Sequence, residues 1–187
     1  MRALIEEKLL LYKVVTKKDP DAFAKLYDFY IEPIYRFVFF KLSNREDAED
    51  IASEVFLKTW DYLIADAGRE VNSFRQLVYT IARNRVIDVY RERARRQECS
   101  IEVVKDIPAA DNVMDKLENY QSTEQLLANI KKLKAEYQEV IQLRYMEGLP
   151  VKDIAAILNK KSTNVRIIIF RAKNKLKELG LLAEKNP

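Results

Sequence analysis

The chemistry open to this 187-residue sequence is narrowed at once by the absence of histidine and the presence of a single cysteine, Cys99. Without imidazole there is no Ser-His-Asp triad, no Cys-His pair and no histidine-ligated metal site. One cysteine excludes an internal disulfide and a thiolate zinc site. The three glycines, Gly68, Gly148 and Gly180, are too scattered for the clustered turns that bring backbone N–H groups to a nucleotide phosphate. An enzyme would have to rely on lysines or on carboxylates such as Asp47 and Asp50, which stand at a helix start without a metal-ligand set. What remains is recognition by charge.

Three constellations could carry it. Near the C-terminus, Ile154, Ala155 and Leu158, a polar turn at Asn159-Lys160-Lys161, and then Val165, Ile169, Ala172 and Leu176 give the core pattern of a helix-turn-helix. Arg166, Arg171, Lys173, Lys175 and Lys177 line the outer side of its second helix, facing a phosphate backbone, with Thr163, Asn164 and Arg166 nearest base edges. The plainer reading is a solvated cationic face. A second basic helix carries Arg83, Arg85, Arg91, Arg93, Arg95 and Arg96, interleaved with Tyr79, Asn84 and Tyr90. These tyrosines serve either as platforms for unpaired bases or as half-buried packing. The third constellation is acidic: Asp50, Glu54, Leu57 and Asp61 share a stripe at spacings of four, three and four, away from Ile51, Val55 and Trp60. A leucine framed by carboxylates reads as a docking face for a basic partner helix, against the default of a solvated charge run.

The elements that hold these groups are expected to be helical throughout, since apolar residues recur at intervals of three and four with almost no alternation. Residues 1–96 carry 18 basic and 16 acidic groups (+2), residues 97–124 carry 2 and 7 (−5), and residues 125–187 carry 13 and 6 (+7). The middle stretch, with Pro108 and no helical period, is expected to be an acidic linker between two small helical domains. Asp19-Pro20 starts one helix, which Pro33 is expected to kink or split. Asn44 with its following acids starts another, and a third runs from near Ser73 to Arg96 after a loop around Gly68. In the second domain the expectation is a helix through Val140, Ile141 and Leu143, a turn at Gly148-Leu149-Pro150, and helices at 151–158 and 163–179. The Leu9–Tyr12 run, preceded by Glu6, Glu7 and Lys8 and ended by Lys13, belongs to a segment too short and too charged for an export signal or membrane span, so a reducing cytoplasm is expected.

The run from Asp47 to Trp60 (D-A-E-D-I-A-S-E-V-F-L-K-T-W) resembles the polymerase-binding helix of bacterial extracytoplasmic-function (ECF, group IV) sigma factors of the sigma-70 family. Ser73–Asp88 resembles the segment that reads the promoter minus-ten element, and Tyr137–Leu158 the minus-thirty-five-binding domain. The resemblance implies a transcription-initiation factor whose region 2 domain (1–96) binds the β′ clamp helices of core RNA polymerase through Asp50, Glu54, Leu57 and Asp61. It implies that Tyr79, Arg83, Asn84, Asp88 and Arg91, with the loop 64–72, capture a flipped minus-ten base. The region 4 domain (125–187) would read the minus-thirty-five element through Thr163, Asn164, Arg166, Ile167, Phe170 and Arg171. An anti-sigma partner is implied, and no cofactor, metal or catalytic residue. Asn159, Lys160, Ile167 and Ile168 depart from the family pattern, and the two isoleucines either meet thymine methyls or pack on a neighbouring surface. The competing reading is a helix-turn-helix regulator that works without polymerase, which leaves the Asp50/Glu54/Leu57 stripe without a role.

Overall fold

The first element is a helix not expected from the sequence, α1 (Arg2–Lys17); it buries Leu10, Leu11 and Val14 and exposes Ile5, Leu9 and Tyr12. The Asp19 carboxylate then accepts the backbone N–H groups of Asp21 and Ala22 at 3.0 and 3.1 Å, and with Pro20 in the first turn it starts α2 (Pro20–Leu42). Asn44 Oδ1 accepts the Asp47 N–H at 2.9 Å to start α3 (Arg45–Ala65), and Ser73 Oγ accepts the Gln76 N–H at 3.3 Å to start α4 (Phe74–Cys99). The computed structural model describes residues 2–65, 71–99 and 127–178. The Gly68 turn, Leu179 and the linker beyond Cys99 therefore lie outside the described residues. Within them every regular element is helical, and no helix is long and apolar enough to cross a membrane.

The chain divides into two units, Met1–Ala110 and Asp111–Pro187. In the first, α2 packs against α1, α3 and α4. Of the kink or split expected at Pro33, the split does not occur: the buried stripe Ala22, Leu26, Tyr30, Ile34, Phe37, Val38 and Leu42 continues in register across it, so packing on both sides offsets the lost backbone hydrogen bond. Ile64 and Ala65 belong to α3 rather than to a loop, and α4 continues three residues past Arg96. Edge-to-face rings tie the helices together: Phe23 meets Trp60 at 5.0 Å and Phe74 at 6.1 Å, and Tyr27 meets Phe56 at 4.7 Å. Such pairs contribute about 0.5–1.5 kcal/mol each beyond their buried area.

Beside this cluster lies a polar contact absent from the sequence reading. The Tyr30 hydroxyl donates to Glu7 Oε2 at 2.5 Å and accepts from Arg75 Nε at 3.2 Å, joining α1, α2 and α4. Glu7 is buried, and a carboxylate taken out of water is tolerable only with such partners. Burial and then the Glu7 hydrogen bond push the Tyr30 phenol above its ordinary range.

The second unit begins with a helical turn at residues 127–131, followed by α5 (Ala135–Ile141), which widens into a π-helical turn over Gln142–Met146 where the Glu147 N–H reaches Gln142 O at 3.1 Å. Gly148, at φ 66°, reverses the chain, and Leu149 drops into the core. Helices α6 (Val151–Ile157) and α7 (Ser162–Glu178) follow, each within a residue of expectation.

Tyr30→Phe should lower stability to urea by about 1–3 kcal/mol, the cost of depriving the buried Glu7 carboxylate of its hydroxyl donor. A variant as stable as the parent would show that the hydroxyl contributes nothing.

Candidate functional site

The acidic stripe of α3 faces solvent. Asp50 and Asp61 are exposed, and Leu57 is 67% exposed while Ile51, Val55 and Leu63 are buried. A leucine held open by a helix that buries Ala48, Ile51, Ala52, Val55, Phe56 and Leu63 is a surface feature, not a core residue displaced. The same helix does not keep its acids to itself. Glu54 Oε2 accepts from Arg85 Nε of α4 at 2.6 Å, its other oxygen meets Lys58 at 2.9 Å, and Asp47 pairs with Arg93. Arg85 reaches on to Glu92 at 3.3 Å. Asp47, Glu54, Arg85, Glu92 and Arg93 line a cleft of about 350 Å³ between the two helices. The acidic and basic faces of the first unit are thus interlocked along α3 and α4, where sequence reasoning drew them as separate. The signal was present in the spacing: Asp47 and Glu54 are seven apart on one helix, and their partners Arg93 and Arg85 are eight apart, in reverse order, on the other.

Burial raises the Glu54 carboxyl, but hydrogen bonds and charges from Arg85 and Lys58 outweigh it, leaving the group below its ordinary value of 4.5. The pair therefore stabilises the fold above that value and loses its effect as pH falls through the lower folded-state value. Being partly exposed, it is worth at most about 1 kcal/mol.

The buried face of α4 is Phe74, Val78, Tyr79, Ala82, Val86 and Val89. Tyr79 corrects the base-platform reading: it is 2% exposed and packs edge-on against Phe37 at 5.4 Å, so its ring is already enclosed by protein. Tyr90, the other aromatic considered, donates its hydroxyl to the Lys41 carbonyl at 2.5 Å, near the C-terminal end of α2. Asn84 and Arg91 are exposed, Arg83 and Asp88 are half-buried, and Arg91 Nη1 donates to Asp88 Oδ1 at 3.4 Å. Arg85, counted at first among the outward cations, instead binds α3 and has a side chain only 18% exposed.

In the second unit the turn between α6 and α7 is a Schellman motif. The Lys160 N–H bonds Ala155 O at 2.9 Å and the Asn159 N–H bonds Ala156 O at 3.2 Å, with Asn159 left-handed at φ 50°. Asparagine is among the few residues other than glycine that adopt this backbone readily, which accounts for its place in the turn. Lys160 also pairs with Glu136 at 3.0 Å, anchoring the turn to α5.

The turn sets the phase of α7, which buries Val165, Ile168, Ala172 and Leu176. Ile168 rather than Ile169 is the core residue, which corrects the expected core register; of the two alternatives left open for Ile168 it takes packing, and at 8% exposure it has no access to a ligand. Ile167 is 48% and Phe170 65% exposed, and Thr163, Asn164, Arg166 and Arg171 are exposed with them. All six residues anticipated for duplex contact therefore lie on the surface of one helix. Among the described residues no cluster of acids or cysteine could hold a metal ion.

Two outcomes test this geometry. Arg85→Gln should raise the Glu54 pKa, read by carboxyl NMR titration; no change would mean the contact is not held in solution. Asn159→Val should destabilise the protein by about 1–2 kcal/mol and Asn159→Gly should not, as measured by chemical denaturation.

Residues 26–96 match the family model Sigma-70 region 2, and residues 123–176 match Sigma-70, region 4. The ECF RNA polymerase sigma factor SigW of Bacillus subtilis is 30% identical over 187 residues, covering 95% of this chain and 97% of SigW. The ECF RNA polymerase sigma factor BldN of Streptomyces coelicolor is 29% identical over 172 residues, covering 86% of this chain and 61% of BldN. Among solved structures, the sigma factor RpoE in complex with the anti-sigma factor NepR from Bartonella quintana shares the fold, with a TM-score of 0.71 at 22% identity over 87% of this chain and 98% of that one. With regions 2 and 4 in order and SigW aligned over nearly its whole length, the chain belongs to the ECF sigma factors of RNA polymerase, in the sigma-70 family.

Proposed function

We propose that this sigma factor divides its work among a region 2 domain (1–96), a linker (97–124) and a region 4 domain (125–187). The exposed stripe Asp50, Leu57 and Asp61, with Glu54 at its inner edge, docks core RNA polymerase at the β′ clamp helices. The observation that carries this is Leu57: a large apolar side chain open to solvent between carboxylates fits a partner helix that is apolar along one line and basic beside it.

Asn84 is the polar group of α4 best placed to meet an extruded minus-ten base, with Arg83, Asp88 and Arg91 around it. Tyr79 supports that surface from beneath. The exposed side of α7 enters the major groove of the minus-thirty-five element, where its cations neutralise phosphate. Chemistry stays with the polymerase, so the chain itself needs no catalytic group or cofactor. It acts in the cytoplasm. An anti-sigma protein that covers the α3 or α7 surface is the fitting regulator, as the RpoE–NepR complex illustrates for its own pair. A regulator working without polymerase has no use for the Leu57 stripe.

Leu57→Ala should weaken association with core polymerase at least several-fold in a pull-down or competition assay while leaving the melting curve unchanged. Loss of stability with intact binding would overturn the assignment, as would failure of the parent chain to associate with core polymerase. Arg171→Ala should weaken upstream duplex binding about equally for all sequences and reduce the salt slope by about 1.

A further inference from the structure

The outer surface of α7 is not uniformly basic. At 3.6 residues per turn, the line opposite the buried Val165, Ile168, Ala172 and Leu176 runs through Thr163, Ile167, Phe170 and Asn174, all exposed and none charged. Cations flank this line, with Arg166, Lys173 and Lys177 on one side and Arg171 and Lys175 on the other, where Glu178 pairs with Lys175 at 2.6 Å in the last turn. A helix with an uncharged crest between two cationic borders matches the cross-section of a major groove, whose floor is base edges and whose walls are phosphate.

The crest is apolar at its centre. Ile167 has no hydrogen-bonding group, so it cannot pair with the N7, O6, N6 or N4 groups of the groove floor, and pressing it against them would strip those groups of water without replacement. The thymine C5-methyl is the one apolar group that the major-groove edge of a base pair offers. We infer that Ile167 is a specificity-determining residue that selects thymine at one position of the upstream element by contact with its C5-methyl group. The contact sits in the first half of the recognition helix, the part that comes nearest the bases in this docking mode. The inference rests on the reading of α7 as the upstream-element reader and adds to it the base that one side chain prefers.

The test uses holoenzyme assembled from the full chain and core polymerase. The upstream element is selected from a promoter library randomised in the minus-thirty-five region. Each thymine is then replaced singly by deoxyuridine, which removes only the methyl group and keeps every hydrogen bond. At one position the replacement should weaken binding about three- to ten-fold, the scale expected for one buried methyl-sized group. In Ile167→Ser holoenzyme the same replacement should have no effect, while Ile167→Val should retain part of it. Ile167 is on the surface, so its variants should melt as the parent does. If no thymine is distinguished from deoxyuridine, or if the discrimination persists in Ile167→Ser, the inference is overturned, and the reading of α7 stands provided that Arg171→Ala still weakens binding to the selected element. If the library yields no upstream preference, or one that no α7 substitution alters, both fall together.

Discussion

The phase at which α4 enters the core governs most of what the first unit can present. Phe74, Val78, Tyr79, Ala82, Val86 and Val89 must all face α2 and α3 to be buried, and rotating the helix by one residue would expose several of them at once. With that phase fixed, Arg85 has nowhere to go but the side of α3, and Asn84 nowhere but outward. The buried ring of Tyr79 and the exposed amide of Asn84, five residues on, are two results of one packing decision. The ion pairs along the α3–α4 seam follow it rather than drive it, since each is partly exposed and individually weak.

The second unit solves the same problem with fewer residues. A helix of 17 residues can be aimed only if its start is held, and here three small devices hold it: the left-handed Asn159, the paired turn hydrogen bonds to Ala155 and Ala156, and the Lys160–Glu136 contact. The π turn at Gln142–Met146 and the left-handed Gly148 set the path into α6 in a similar way. Regular helices supply the surfaces, and the irregular backbone between them supplies the angles.

Much of this was legible in the residue order. Asp19-Pro20, Asn44 and Ser73 are capping signals whose chemistry acts within four residues, so local reading found the helix starts. The outward position of Leu57 followed from counting along one helix. What escaped depended on a second helix. Whether Tyr79 or Ile168 is inside is set by what packs against it, and helical spacing leaves neighbouring apolar residues as rivals for the same place. The Glu54–Arg85 contact joins residues 31 apart, and only the antiparallel match of spacings hinted at it. The mixture of Leu and charge in α1 argues against an export segment, and only its packing against α2 makes Leu10, Leu11 and Val14 a buried face.

The contact among Glu7, Tyr30 and Arg75 also bears on how the first unit assembles. Most of its packing joins helices that follow one another in sequence, which keeps the loops to be closed short. The Arg75 N–H and the Glu7 carboxylate, 3.5 Å apart, are separated by 68 positions. Bringing them together closes most of the unit into a ring, at an entropic cost that grows only slowly with length, by about 0.6 kcal/mol for each doubling of the loop. Helix α1 and the start of α4 thus form a clasp between the first and the last described helix of the unit. Truncation of α1 would open that clasp and leave both the Tyr30 hydroxyl and the Arg75 N–H without their common acceptor, Glu7.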